Sequence, residues 1–222
     1  RACAVCRTDL HVVDGELMVA GERLSVNVTP YPLNSVEGKN LGSMIMLEDI
    51  TSAKRMKSTM SRYMDPNVAD KLLASGADLL GGQSLNATML FSDIRGFTTI
   101  TEKLGAQGTV SLLNEYFTLM VDCLQREGGM LDKFIGDAIM ASFGILGDNG
   151  DDEDRAVRCA IAMIKVLHEW NAQRASHEQL PVNIGIGINT DNVVSGNIGS
   201  PKRMDYTVIG DGVNLAARLE SA

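Results

Sequence analysis

Strand-length apolar runs alternate with helical patterns from residue 86 onward, and this order strongly limits the possible folds. The predicted elements are a strand at 88–91, a helix at 108–126, strands at 130–134 and 138–143, a helix at 151–174, strands at 182–188, 193–198 and 205–209, and a helix at 212–221. Long helices with one apolar face, placed between short apolar strands, are typical of a sheet covered by helices. The order β-α-β-β-α-β therefore predicts a mixed α+β domain.

The residues before this domain follow a different pattern. Short apolar stretches separated by turn-rich pieces predict antiparallel strands joined by hairpins between residues 14 and 49. A helix is predicted to follow, with Thr51 or Ser52 as its N-cap and with a seam of apolar residues three and four apart. The seam consists of Ala53, Met56, Met60 and Tyr63. Such a seam fits both packing within its own unit and pairing with a second copy of the chain.

The charge and the hydropathy of the chain exclude several classes of function. The 222 residues include 20 Lys and Arg against 28 Asp and Glu, a formal net charge of −8, so we expect no general binding to nucleic acid or to anionic lipid. The apolar runs are far shorter than the ~18 residues that span a bilayer, so we expect no membrane contact by these residues, whereas membrane tethering of a longer parent protein stays open. Four scattered cysteines favour a reducing compartment, which predicts a cytoplasmic location.

Two aspartates occupy positions where their carboxylates can meet. Asp93 lies just after the predicted strand 88–91, and Asp137 lies at the tip of a predicted hairpin. If that strand runs beside the hairpin, the two carboxylates share one edge of the sheet, where their repulsion favours a bound cation such as Mg²⁺ or Mn²⁺. Aspartates at strand ends also act as turn formers and helix caps, so both interpretations remain open at this point.

Two further groups of residues suit a nucleotide ligand. Gly96 allows a close turn after the first strand, and the N–H groups of Gly96, Phe97 and Thr98 can face a phosphate as a helix begins. Asn214 and Arg218 are four residues apart on the last predicted helix, so they project from the same face. An amide and a guanidinium there can hold a ribose and a phosphate, although the same spacing is common on a solvated helix face.

Three sequence motifs carry a resemblance to a known enzyme family. The motifs F-S-D-I-R-G-F-T, D-K-F-I-G-D-A-I-M-A and T-V-I-G-D-G-V-N-L-A-A-R together resemble the catalytic domain of class III nucleotidyl cyclases. The resemblance implies a ferredoxin-like or palm-type catalytic domain at 86–222, which in the family continues into further strands beyond Ala222. It implies a coiled-coil or coupling helix and a transducer segment at 51–85. Residues 1–50 resemble the C-terminal part of a PAS sensor domain, with a partial antiparallel sheet.

The resemblance also implies a role for each motif residue. Asp93, Asp137 and the carbonyl of Ile94 would hold two Mg²⁺ or Mn²⁺ ions per site. Asn214 would orient the ribose, and Arg218 would stabilise the transition state at the α-phosphate. The ribose 3′-hydroxyl of ATP would attack its own α-phosphorus, giving 3′,5′-cyclic AMP and pyrophosphate. The implied enzyme is an adenylate cyclase, a phosphorus–oxygen lyase.

Lys133 and Thr207 occupy the two positions that read the base in this family. An ammonium only donates, so Lys133 fits the N1 acceptor of adenine and opposes the N1–H donor of guanine. The hydroxyl of Thr207 can accept a hydrogen bond from the 6-amino group. This Lys/Thr pairing resembles a bacterial subgroup often linked to regulation by bicarbonate. The pair therefore favours ATP as the substrate, while Asp205, two residues away from the second position, receives no role.

The family builds each active site from two catalytic domains. One domain supplies Asp93 and Asp137, and the other supplies the base-reading pair together with Asn214 and Arg218. Both sets are present in this chain, which implies a symmetric homodimer with two sites, regulated through the upstream sensor. The alternatives are a guanylate cyclase, a diguanylate cyclase and a non-catalytic sensor or dimerisation module. A diguanylate cyclase lacks support because no G-G-D/E-E-F turn is present. A non-catalytic module lacks support because the motif residues are intact.

Overall fold

The computed structural model describes residues 12–60, 82–145, 147, 150–200 and 203–222. The chain divides into two compact units, residues 1–63 and residues 64–222. Among the helices in these described ranges, none combines the length and the apolar character that crossing a membrane requires.

The first unit is a three-stranded antiparallel sheet followed by one helix. Its elements are β1 (Val12–Val19), β2 (Glu22–Asn34), β3 (Asn40–Asp49) and α1 (Thr51–Met60). The strands lie in the order β1-β2-β3, as expected for consecutive hairpins. Val26 is the one buried hydrophobic residue in the described part of this unit, and most other apolar side chains of the strands are exposed. A sheet of three strands with so little buried apolar surface needs a further layer on its apolar face to be stable.

The start of α1 differs from the sequence prediction. Thr51 is the first helical residue, and its N–H donates to Asp49 Oδ1 at 2.9 Å, so Asp49 satisfies this end of the helix. The predicted N-cap at Thr51 or Ser52 was wrong because the Thr51 hydroxyl is used elsewhere, accepting the N–H of Ser25 at 2.9 Å. The Met60 side chain and Tyr63 lie outside the described residues, so the predicted seam is not tested.

The second unit contains five strands and three helices in its described residues. They are β4 (Gly82–Ile94), α2 (Phe97–Arg126), β5 (Met130–Ile135), β6 (Ala138–Phe143), α3 (Asp152–Ser176), β7 (Ile184–Ser200), β8 (Arg203–Ile209) and α4 (Asp211–Ser221). The strands form one antiparallel sheet in the order β5-β6-β4-β7-β8. Without β8 this is the strand order of a ferredoxin-like β-α-β-β-α-β fold. The predicted α+β class is confirmed.

The sheet is covered on both faces. Alternate residues of β4 point to opposite sides, so Leu90 and Ile94 pack with α2 and α3, whereas Ala87 and Met89 pack on the face that α4 covers. The approach of α4 is close, because a Cβ on Gly187 of β7 would collide with the α4 backbone. The apolar cluster between the sheet and α4 therefore fixes the position of this helix, which carries Asn214 and Arg218.

The bounds of three elements differ from the sequence prediction by several residues. Strand β4 covers Gly82–Ile94 instead of 88–91, because its first half also pairs with β7. Helix α2 begins at Phe97 but is interrupted at Gly105, whose backbone is not helical (φ 67°, ψ 178°), so the helix predicted at 108–126 corresponds to the part of α2 after this residue. Strand β7 is continuous over Ile184–Ser200, although its polar middle predicts a break between two strands. That polar stretch stays extended because it pairs residue by residue with β4, and Thr190 lies opposite Thr88.

Candidate active site

Asp93 and Asp137 come together at one end of the sheet. Strand β4 runs antiparallel to β6 with Ser92 opposite Ile139, so the end of β4 lies beside the turn between β5 and β6. Gly136 in that turn has φ of 66°, a conformation that glycine adopts without strain, and this makes the turn tight. The strand pairing on which the sequence prediction depends is therefore present, and it brings the two predicted carboxylates to one edge.

The two carboxylates interact directly. The pKa of Asp137 is raised to about 6, first by burial and then by the adjacent Asp93 carboxylate, which lies within hydrogen-bonding reach. The N–H of Ile94 donates to Asp93 Oδ1 at 2.9 Å, and it also donates to Asp137, which opposes the rise in pKa. Two carboxylates held this close disfavour their own double ionisation, and a cation between them would remove that penalty.

The described ranges contain no cluster of three or more Asp, Glu, His or Cys side chains suited to a metal ion. A divalent cation at Asp93 and Asp137 would therefore need further oxygen ligands from the backbone, water or a substrate. Mg²⁺ accepts such a set, because it commonly binds to one or two carboxylates and takes its other ligands from phosphates and water. The donor set fits the predicted use of Asp93, Ile94 and Asp137.

Gly96, Phe97 and Thr98 form the link between β4 and α2. Gly96 is left-handed (φ 68°, ψ 27°), and no side chain caps the helix that begins at Phe97. The first N–H groups of a helix have no intrahelical acceptor, and the positive end of the helix dipole lies at the same place. This backbone can therefore receive an anionic oxygen close to the Asp93–Asp137 pair.

Asn214 and Arg218 share the exposed face of α4. The buried face of this helix consists of Gly212, Val213, Ala216 and Glu220. Asn214 and Arg218 are exposed on the opposite side, where Leu215 and Leu219 are 41% and 47% exposed. This face therefore presents two polar side chains and two partly exposed leucines, and all four are accessible to a partner or a ligand.

Lys133 and Thr207 lie on the two edge strands of the sheet, β5 and β8, which approach each other in the curled sheet. A third residue connects them. Asp132 accepts a hydrogen bond from Thr207 Oγ1, at 3.0 Å to Oδ1 and 2.8 Å to Oδ2, and its Oδ1 lies 3.4 Å from Lys133 Nζ. The N–H of Val208 also donates to Asp132 Oδ2 at 3.2 Å. Burial raises the pKa of Asp132, against the effect of these donors.

Sequence reasoning missed Asp132 because its position depends on a β-bulge. Leu131 and Lys133 pair with the consecutive residues Ala141 and Met140, so Asp132 is the extra residue of β5. A bulge changes the direction of the side chains around it and often lies beside a functional site. The one hint in the sequence was a pair of consecutive charged residues, Asp132 and Lys133, in a strand whose other four residues are apolar.

A second missed contact joins the first motif to the last helix. Arg95 Nη1 lies 3.0 Å from Glu220 Oε1, and Arg95 Nη2 donates to the backbone oxygen of the same residue. The Glu220 side chain is almost fully buried, so this ion pair keeps a buried charge compensated. Its effect is to fix the end of α4 against the segment that carries Asp93.

A protein-family model described as "Adenylate and Guanylate cyclase catalytic domain" matches residues 82–222, which is more than half of the chain. The chain belongs to this cyclase family. The match begins at the first residue of β4 and includes all three motifs. The fold agrees with this assignment, because solved cyclase structures superpose on the chain.

Two solved cyclases illustrate the similarity. The adenylyl cyclase CyaB from P. aeruginosa is 43% identical, with a TM-score of 0.62 over 64% of this chain and 74% of that structure. The guanylyl cyclase Cya2 is 45% identical, with a TM-score of 0.61 over 64% of this chain and 72% of that structure. Cyclases named for either nucleotide are therefore similar to this one to about the same degree.

A curated relative, an adenylate cyclase from Anabaena cylindrica, is 42% identical over 137 residues. The alignment covers 60% of this chain but 26% of the relative. The cyclase chain thus spans about a quarter of the length of that protein.

Proposed function

We propose that this cyclase is an adenylate cyclase, which converts ATP to 3′,5′-cyclic AMP and pyrophosphate. The observation that carries the proposal is the junction of β5 and β8, where Lys133 and Thr207 meet around Asp132. An ammonium there complements N1 of adenine and opposes the N1–H of guanine, while a hydroxyl that can accept complements the 6-amino group. ATP offers both partners, and GTP offers neither.

Asp93 and Asp137, with the carbonyl of Ile94, would hold Mg²⁺ or Mn²⁺. When bound, two such ions activate the ribose 3′-hydroxyl and neutralise charge on the triphosphate. The N–H groups at the start of α2 donate to phosphate oxygens, which adds to the neutralisation. Asn214 orients the ribose so that its 3′-oxygen is in line with the α-phosphorus, and the guanidinium of Arg218 stabilises the charge that develops there.

The active site is shared between two copies of the chain in this proposal. The exposed face of α4, which carries Asn214, Arg218 and two partly exposed leucines, supports a partner surface. Phe134 and Ile135, at the end of β5 before the carboxylate turn, are 43% and 51% exposed and add further apolar surface. A symmetric homodimer covers both surfaces and pairs the carboxylates of one copy with the α4 face of the other.

The residues before β4 regulate the cyclase in this proposal. The three-stranded sheet and α1 belong to a PAS-like sensor and its coupling helix, which act on a cytoplasmic dimer. Bicarbonate is a candidate regulator because of the Lys133/Thr207 pairing. The alternating strands of the first unit and their exposed apolar face support a sensor layer at this position.

The activity is tested with the protein at full length, supplied with ATP and Mn²⁺, by measuring cyclic AMP and pyrophosphate. Asp93→Ala should abolish product formation, because one of the two carboxylates is lost. Asp205→Asn is the matched control, since Asp205 is an exposed aspartate on β8 outside the site, and it should retain activity. Equal activity of Asp93→Ala and wild type would contradict the proposed role of the carboxylate pair.

A guanylate cyclase is the second candidate function. The 45% identity to the guanylyl cyclase Cya2 favours it, whereas the Lys133 donor opposes it. An adenylate cyclase forms cyclic AMP and a guanylate cyclase forms cyclic GMP. Formation of cyclic GMP in preference to cyclic AMP would therefore show that the chain is a guanylate cyclase.

A further inference from the structure

The carboxylate of Asp132 is buried at the junction of the two edge strands. Its side chain is fully buried, and donors surround it on three sides: the hydroxyl of Thr207, the backbone N–H of Val208 and the ammonium of Lys133. The bulge in β5 produces this arrangement, because Asp132 has no pairing partner on β6 and is free to reach across to β8. An acidic residue in this position is costly to bury unless its donors stay in place.

The hydrogen bonds at Asp132 decide which way the Thr207 hydroxyl points. An ionised carboxylate only accepts, so the single proton of the Thr207 hydroxyl must be directed at Asp132. The lone pairs of Thr207 Oγ1 are then the part of the hydroxyl that remains for a ligand. Thr207 is 8% exposed, so its side chain has little room to adopt another rotamer, and the acceptor at Asp132 then sets the direction of its proton.

We infer that Asp132 is a specificity-determining positioning residue, which fixes Thr207 as a hydrogen-bond acceptor for the 6-amino group of adenine. It also restrains the Lys133 ammonium as the donor to N1. This inference rests on the proposed function, since it concerns how that same site chooses ATP. Asp132 itself does not contact the nucleotide and acts through Thr207 and Lys133.

The arrangement discriminates against guanine at two atoms. The 6-oxo group of guanine is an acceptor and would face the lone pairs of Thr207, and the N1–H would face the ammonium of Lys133. Threonine alone does not discriminate against the 6-oxo group of guanine, because a free hydroxyl can turn and donate a hydrogen bond to that group. With its proton held by Asp132, the hydroxyl cannot make that change, so specificity includes a repulsive component.

The test is Asp132→Asn, measured as the ratio of kcat/KM for ATP to kcat/KM for GTP in the protein at full length. An asparagine amide can donate to Thr207 Oγ1 while its oxygen still accepts from Val208, which releases the Thr207 proton toward the base. The ATP:GTP ratio should fall by about tenfold or more, with most of the change in KM. Asp205→Asn on the same strand as Thr207 is the matched control for the loss of one negative charge, and its ratio should equal that of wild type.

A second variant distinguishes positioning from a purely structural effect. Thr207→Val removes the hydroxyl with little change in volume, and it should also reduce the ATP:GTP ratio. Because Asp132 acts on this ratio mainly through Thr207, adding Asp132→Asn to Thr207→Val should change it by no more than about twofold further. A structural effect would instead lower turnover of both nucleotides alike and leave the ratio unchanged.

The outcomes separate this inference from the proposed function. The inference is overturned, and the proposed function stays in place, if the wild type prefers ATP and Asp132→Asn has the same ATP:GTP ratio as the wild type. Full additivity in the double variant would also overturn it. Wild type that prefers GTP would contradict both. If Asp132→Asn shows no cooperative unfolding transition, Thr207→Val still provides a refutation, because an unchanged ATP:GTP ratio in that variant overturns the inference.

Discussion

Asp137→Asn should make the metal-free cyclase more stable while it removes activity. The pKa of Asp137 is about 6 in the folded chain against an ordinary value of 3.8, because of burial and the adjacent Asp93. The folded state therefore binds the Asp137 proton more tightly than the unfolded state does, and ionisation of Asp137 destabilises the fold. Asparagine has nearly the same shape and never carries this charge.

The magnitude follows from the shift in pKa. A rise from 3.8 to about 6 corresponds to about 3 kcal/mol at 1.36 kcal/mol per unit, and partial exposure of Asp137 to solvent reduces this to about 1–2 kcal/mol. Below about pH 4 the carboxyl is protonated in both states, so the substitution gives no advantage there. The advantage grows between about pH 4 and pH 6 and is complete at neutral pH.

The assay is urea unfolding in the presence of EDTA, at several pH values, for wild type, Asp137→Asn and Asp205→Asn. The difference in unfolding free energy between Asp137→Asn and wild type should rise from near zero in acid to about 1–2 kcal/mol at neutral pH. Asp205→Asn should show no such dependence. An Asp137→Asn variant that is no more stable than wild type at neutral pH would contradict a destabilising charge at Asp137, and so would a stability advantage that is the same at every pH.

Three further predictions follow from other contacts. Inactive Asp93→Ala and Arg218→Ala chains, when mixed, should recover cyclic AMP formation through one intact shared site, and verified heterodimers without activity would contradict the two-chain site. Arg155→Ala should lower the free energy of unfolding by about 2–4 kcal/mol, because it leaves the almost fully buried carboxylate of Asp152 without its cation. A thermal unfolding midpoint equal to that of wild type would count against this stabilising role of Arg155. Gly187→Ala should reduce kcat more than it changes KM, since the new methyl group displaces α4, and steady-state kinetics with an unchanged kcat would exclude that close contact.

Much of the fold could be predicted from the sequence because its signals are local. The hairpin around Gly136 joins β5 to β6, and β6 has the predicted bounds. Both features are predictable because the tight turn and the two short apolar runs beside it lie next to each other in the sequence. The continuity of β7 could not be predicted in the same way. Its polar middle resembles a turn when read alone, and it stays extended because β4 supplies a partner along its full length.

The positions of Asp93, Asp137, Lys133 and Thr207 were accessible to the sequence, whereas the role of Asp132 in linking Lys133 to Thr207 was not. Asp93 and Asp137 follow from strand ends and a hairpin tip, which the motif positions give directly. Asp132 becomes visible only when a bulge in β5 and the curvature of the whole sheet bring it to Thr207, 75 residues later in the chain. Neither the bulge nor the curvature has a local sequence signal strong enough to predict that contact.

The most direct test of the account is a competition between ATP and GTP at equal concentration in one reaction with Mn²⁺, with both cyclic nucleotides quantified. The donor at Lys133 and the acceptor at Thr207 predict that cyclic AMP is the main product of the full-length protein. Cyclic GMP as the main product would contradict the assignment of ATP as the substrate.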